Sequence, residues 1–99
     1  MAAQNTDIIL PKDEWTLITA TGVSVLALTF QNKGTGEVLV LATATEVAPT
    51  SNNGAVLYVS GKGEPSSRAL SVLWPGVSGT RVYAKALTHT GLMMSSHTA

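Results

Sequence analysis

Residues 23–45 read Val-Ser-Val-Leu-Ala-Leu-Thr-Phe-Gln-Asn-Lys-Gly-Thr-Gly-Glu-Val-Leu-Val-Leu-Ala-Thr-Ala-Thr, two alternating apolar runs separated by a loop with two glycines. Side chains of an extended chain point to opposite faces in turn, so a period of two marks a strand. In the second run, Glu37 to Thr45, Val38, Val40 and Ala42 alternate with Leu39, Leu41 and Thr43. In the first, Val23 to Gln31, Leu26, Leu28 and Phe30 fall on one face and Val23, Val25, Ala27 and Thr29 on the other. Both faces of that run are apolar, which predicts a central strand covered on each side.

Working outward, the same signal recurs between turn residues. Asp7 to Leu10 reads as a short strand stopped by Pro11, and Lys12-Asp13-Glu14 as a polar corner. Trp15 to Ala20 follows, with Trp15, Leu17 and Thr19 opposite Ile18, then a turn at Thr21-Gly22. Beyond the decisive pair, Glu46 to Gly54 is an irregular connection closing on Asn53-Gly54, a turn signal. Strands are expected over Ala55 to Ser60, Arg68 to Trp74 and Thr80 to Thr88, with Gly61 to Pro65 as a flexible loop. In the last of these, Val82, Ala84 and Ala86 alternate with Arg81, Tyr83, Lys85 and Leu87. No window holds apolar residues at helical spacing for three turns, and the connections are too short for crossover helices.

The expected fold is therefore all-β. It is a single antiparallel β-sandwich or jelly-roll/barrel-like domain of about seven strands, over residues 7–88. Residues 1–6 and 89–99 are expected to be N- and C-terminal arms. The expected core is Trp15, Leu17, Leu26, Leu28, Phe30, Val38, Val40, Leu57, Val59, Leu70, Val72, Trp74, Val82 and Tyr83.

Composition narrows the function. The 99 residues suit one domain. Six basic and six acidic side chains cancel, and charged residues make up 12% of the chain, against about 25% in ordinary domains. Such a surface, built from Ser, Thr, Ala, Val and Gly, makes most sense if neighbours cover part of it. Neutrality and the dispersal of Lys12, Lys33, Lys62, Arg68, Arg81 and Lys85 argue against nucleic acid as a partner. No apolar run approaches the roughly 20 residues that span a bilayer, and the N-terminus lacks a basic, apolar leader. A soluble chain without the usual export signal is expected. There is no cysteine, hence neither disulfide nor thiolate metal site.

Chemistry is hard to find. His89 and His97 sit close to the end of the chain and read as solvated tail residues, remote from any serine–carboxylate pairing that a nucleophile needs. Asp13-Glu14 is the one adjacent carboxylate pair and reads as a solvated corner, because strand neighbours diverge. Gly34-Thr35-Gly36 and Gly61-Lys62-Gly63 imitate phosphate cradles, but no helix follows to receive an anion. Arg81 and Lys85, with Tyr83 between them, form a basic strand face that reads as protection of a sheet edge. Trp15 and Trp74 could serve as a sugar-stacking platform, although plugging the ends of a sandwich suits them better. These features argue against an enzyme, with no cofactor and no metal expected.

The Trp-led strand Glu14-Trp15-Thr16-Leu17-Ile18, the Thr/Val-rich middle, and Val72-Leu73-Trp74-Pro75-Gly76 turning into Thr80-Arg81-Val82-Tyr83-Ala84 resemble small accessory proteins of tailed-bacteriophage particles. Capsid decoration, or cement, proteins are the examples meant, and the similarity runs over residues 7 to 88 in style and composition, without a specific motif. The resemblance implies a β-sandwich in the virion, assembled in the host cytoplasm as a homo-oligomer, a trimer or dimer, that clamps a major capsid or other virion protein. It brings no catalytic residues. Leu92, Met93 and Met94, apolar residues in the expected C-terminal arm, are the candidate interface, since a docked arm would bury them. The alternative is a carbohydrate- or receptor-binding sandwich module.

Overall fold

A computed structural model describes residues 4–98. It contains eight strands and one helical turn: β1 Gln4–Leu10, β2 Thr16–Leu17, β3 Ala27–Asn32, β4 Val38–Thr43, β5 Val56–Tyr58, β6 Gly63–Ala69, α1 Leu70–Leu73, β7 Arg81–Ala86 and β8 Gly91–His97. The strands form two four-stranded sheets, ordered β1-β8-β3-β6 and β2-β7-β4-β5, and every pairing between named strands is antiparallel. Only the β4–β5 connection stays within one sheet; each of the others crosses to the opposite sheet. That winding is a jelly roll, one of the two architectures the sequence pattern left open.

The core lies between the sheets. Leu10, Leu28, Phe30 and Met93 from the first meet Ile18, Val38, Val40, Ala42, Val82, Ala84 and Ala86 from the second. The alternations in residues 38–43 and 81–86 are thereby borne out: their inward members pair directly, Val40 with Ala84 and Ala42 with Val82. Phe30 and Tyr58 join the sheets edge to face, ring centroids 5.0 Å apart at 85°. Four expected core residues lie outside: Leu26, Leu57, Val59 and Val72 are 76%, 49%, 43% and 62% exposed.

Leu26 is displaced because the chain changes sheets there. Val25 donates its N–H to Thr80 beside β7, whereas the next carbonyl, of Leu26, accepts from Leu70 beside β6. The crossing interrupts the alternation, so Val25 and Leu28 point inward and Leu26 outward. Val72 is displaced because residues 70–73 coil. Leu70 and Trp74 are buried and Leu73 packs against the core, which is a helical i, i+3, i+4 spacing that reads equally as alternation over so short a run. At the second sheet's rim the expected alternation does not hold: Ile18 and Thr19 are both buried, and Trp15 and Leu17 are half-buried.

Gly63 to Pro65, the latter part of the segment expected as a glycine loop, are the start of β6, while Gly61 and Lys62 lie in the turn before it. Gly63 pairs with Gln31, and a Cβ there would meet the Phe30 carbonyl oxygen and lie 2.7 Å from the Gln31 Cα, so only glycine allows this approach. Pro65 is tolerated because β6 is an edge strand and the register shifts between Leu28 and Phe30, releasing it from the ladder.

The largest departure is at the end of the chain. Residues 91–97 are not part of an arm but form an inner strand, paired on one side with β1 from Gln4↔His97 to Leu10↔Gly91 and on the other with β3. Strand β1 likewise begins at Gln4, inside the expected N-terminal arm, of which residues 1–3 lie outside the described residues. His97, expected as a solvated tail residue, is 7% exposed, and its Nε2 accepts the Ala20 N–H at 3.1 Å.

One polar side chain organises the other end of the sandwich. Asn32, the last residue of β3, is fully buried. Its Nδ2 donates to the Gly36 and Tyr58 carbonyls at 2.8 and 3.1 Å, and its Oδ1 accepts the Gly34 N–H at 3.1 Å. The amide thus ties the β3–β4 loop to the end of β5, and its hydrogen-bonding groups are well matched. Replacing it deprives the Gly36 and Tyr58 carbonyls of this donor, whereas the Gly34 N–H keeps the Leu92 carbonyl at 3.1 Å. Asn32→Ala is expected to cost about 2 kcal/mol, roughly 1 kcal/mol per deprived carbonyl, read as a lower urea midpoint with an unchanged slope. Asn32→Asp should cost more, because a carboxylate would face two carbonyl oxygens.

The tyrosines set the alkaline limit. Burial, then the hydrogen bond its hydroxyl donates to Glu64 at 3.1 Å and that residue's charge, push Tyr58 up to about 12 from 10.0. Above pH 10 the unfolded chain loses this proton first, so stability is intact below that pH and falls as the pH rises towards 12. Burial and the Glu46 charge raise Tyr83 as well. Thermal midpoints followed with tyrosinate absorbance should show both phenols ionising with unfolding, and Tyr58→Phe should flatten part of the fall.

Candidate interaction surfaces

The strand β8 alternation decides where the candidate interface residues go. Gly91, Met93, Ser95 and His97 face the core, while Leu92, Met94 and Ser96 face outward and are half-buried. Met93, one of the three expected interface residues, is fully buried and unavailable to a partner. Leu92 and Met94 lie at the middle of an exposed sheet face.

That face is arranged in rows by the strand register. Ile9 of β1, 67% exposed, pairs with Leu92. Asp7, Met94 and Gln31 form the next row, and Asn5, Ser96 and Thr29 the one after. Across β8 runs an ion pair, the Lys33 ammonium 2.9 Å from the Asp7 carboxylate, both side chains well exposed. It connects β1 to the chain just past β3, beside Leu92 and Met94; as a surface pair it adds at most about 1 kcal/mol. The face is thus apolar at one end, ion-paired at the centre and hydroxylic at the other. At the hydroxylic end Asn5, Ser24, Leu26, Thr29, Ser67 and Ser96 border an open cleft of about 720 Å³.

The outer face of the second sheet is differently furnished. Tyr83 points outward beside Leu17 and Leu41 yet is 5% exposed. The β4–β5 connection reaches over this face: Glu46 accepts the Gly22 N–H at 2.9 Å and lies 3.5 Å from Arg81, and Asn52 accepts from Lys85. The Lys85 ammonium also sits 4.9 Å above the Trp15 ring, a cation–π contact. Strand β7 is an inner strand, so Arg81 and Lys85 are not the edge protection expected of them; they hold this connection down.

Neither tryptophan is a free platform. Trp74 is 6% exposed, its indole N–H donating to the Gly54 carbonyl at 3.2 Å, where Gly54 completes the Asn-Gly turn at φ 80°. Trp15 is half-buried beneath Lys85. The Asp13-Glu14 carboxylates lie at an exposed corner, with Lys12 3.7 Å from Asp13. His89 is exposed, its Nε2 2.7 Å from the Thr35 hydroxyl. Among the described residues no three His, Asp or Glu side chains converge as metal ligands would, and no helix is long and apolar enough to cross a membrane.

Comparison with protein-family models, curated proteins and solved structures returns no match to this chain.

The alternation makes a sharp test. Met93→Ala should cost about 2–5 kcal/mol, as truncations in a filled core do, whereas Met94→Ala, one residue on and facing outward, should cost less than about 1 kcal/mol. Equal, small losses in urea unfolding would show residues 91–97 to be a free arm after all.

Proposed function

We propose that this chain is a structural contact protein of a virus particle, a homo-oligomeric decoration or accessory component that binds a major capsid or other virion protein without covalent chemistry. The observation that carries the reading is the surface. Six basic and six acidic side chains serve 5111 Å², and large apolar residues stand out from it on sheet faces and rims, Ile9, Leu26, Val47, Val56, Leu57, Val59, Val72 and Val77. Interfaces are depleted of charge at their centres, and exposed apolar patches mark contact sites. The resemblance of residues 7–88 to phage decoration proteins points the same way, and jelly rolls are frequent in viral shells, a likeness of fold alone.

In this reading the outer face of the first sheet is the shell-binding surface. Ile9 and Leu92 supply its apolar end, Met94 extends it to the middle row, and the Asp7–Lys33 pair there contributes orientation rather than affinity. Since β8 is an inner strand, deleting residues 92–99 would unfold the domain, so the face has to be altered by substitution. The chain is expected to co-sediment with shells assembled from the major capsid protein of the same particle. Leu92→Glu with Met94→Glu should abolish co-sedimentation while leaving the chain folded, its circular dichroism spectrum unchanged. A native chain that stays in the supernatant at every ratio would overturn the proposal.

A second reading rests on the cleft bordered by Asn5, Ser24, Thr29, Ser67 and Ser96. Its hydroxyls and the Gln4 and Asn5 amides suit a neutral sugar, and the His97 imidazole also lines it. Glycan-induced shifts of the Thr29 and Ser96 amide resonances would favour it.

A further inference from the structure

A jelly roll leaves four sheet edges, and here they are not alike. Strand β1 carries Asp7, held by Lys33. Strand β2 is two residues long and follows Lys12-Asp13-Glu14. Strand β6 carries Glu64, Pro65 and Arg68 and shifts register along its partner. Charge, shortness, proline and bulges are the devices by which sheets refuse further strands. Strand β5 is also short, at three residues, but it has none of the charge: residues 47–61 contain no Asp, Glu, Lys, Arg or His. Its Val56 and Leu57, with the adjoining Val59, are 39%, 49% and 43% exposed.

We infer that the β5 edge pairs antiparallel with the β5 edge of a second copy of this chain, joining two four-stranded sheets into one of eight strands. The inference rests on the homo-oligomeric part of the proposed function and names the surface involved.

Register and charge select a second copy as the occupant. Leu57 pairs with Leu39, and Val38 and Val40 beside Leu39 face the core, so Leu39 and Leu57 share the outer face. Antiparallel pairing centred on Leu57 sets that residue against its own copy, flanked on each side by Leu39. The result is a ribbon of four leucines at strand spacings of about 4.8 Å. The same centring places Val56 opposite the partner's Tyr58 and Val59 opposite the partner's Ala55. Every apposition is apolar and satisfies its own twofold, as an isologous interface requires. An edge without charge gains nothing from a charged strand, whereas its own copy offers an equally uncharged one, and a net charge of zero leaves no long-range repulsion between copies.

The absence of cysteine from the chain supplies the test. Residues directly opposed across an antiparallel pair lie about 4.5–5.5 Å apart at Cα, within disulfide range. Leu57→Cys should form a covalent dimer of twice 10.2 kDa under mild oxidation, and Val47→Cys, more open but off the strand, should not. By light scattering over rising concentration, the native chain should approach twice 10.2 kDa, and Leu57→Lys or Val59→Lys should return the mass to 10.2 kDa with the circular dichroism spectrum unchanged. Either lysine variant remaining dimeric, a native chain that stays monomeric, or an absence of cross-linking at position 57 would overturn the inference. A monomer that still co-sediments with shells would sink this pairing and leave the contact function standing; a β5 dimer that ignores shells would do the reverse.

Discussion

The fold closes only when residues 91–97 are in place. Strand β8 comes last in the sequence but lies inside its sheet, bonded to β1 on one side and β3 on the other. Without it, β1 has no partner strand, Met93 leaves a void between the sheets, and Ala20 loses the acceptor that His97 provides. A sheet whose inner strand arrives last depends on pairings distant in sequence, which form slowly because loop closure precedes any gain. The same placement turns the outward half of β8 into the centre of an exposed face, so core and candidate contact surface are two sides of one strand.

Polar groups fix the geometry at a few points. The Asn32 amide serves three backbone groups at one end, and at the other Gln4 Nε2 donates to the Ile18 carbonyl at 2.7 Å, joining β1 to the rim of the opposite sheet. The ion pairs lie mostly at the surface and contribute little each. Apolar burial between the sheets carries the stability, and charge is left to position loops, as Arg81 and Glu46 do for the connection over Tyr83. A chain stabilised in this way can spare charge from its surface, where its absence favours contact.

How much the sequence revealed depended on whether a strand kept one sheet and one environment. Residues 38–43 and 81–86 do, and their alternation named the buried side chains. Residues 23–31 do not: the change of sheet after Val25 cannot be read from a pattern apolar on both faces. Leu70 to Trp74 is a single helical turn, too short for its period to be told from a strand's. Gly63 to Pro65 looked like part of a loop because Gly and Pro argue against strands, and only an edge position admits them. Gly91 to His97 holds no β-branched residue at all, and its conformation is imposed by β1 and β3 rather than by local preference. The candidate surface was legible in the same measure: the apolar content of Leu92, Met93 and Met94 was evident, but which of them turn outward depends on a register that only the sheet defines.

The pairing of Gln4 with His97 brings the two ends of the described chain side by side on one rim. Over the described residues the backbone is therefore nearly a ring. A short bridge between the ends, with a new opening in the exposed Ser51-Asn52-Asn53-Gly54 turn, would keep every strand pair while making β8 and β1 one continuous hairpin. The same adjacency has a practical meaning: a tag attached at either end of the described chain would emerge beside the cleft that Gln4, His97 and Thr98 help to line, at the end of the sheet away from Ile9 and Leu92.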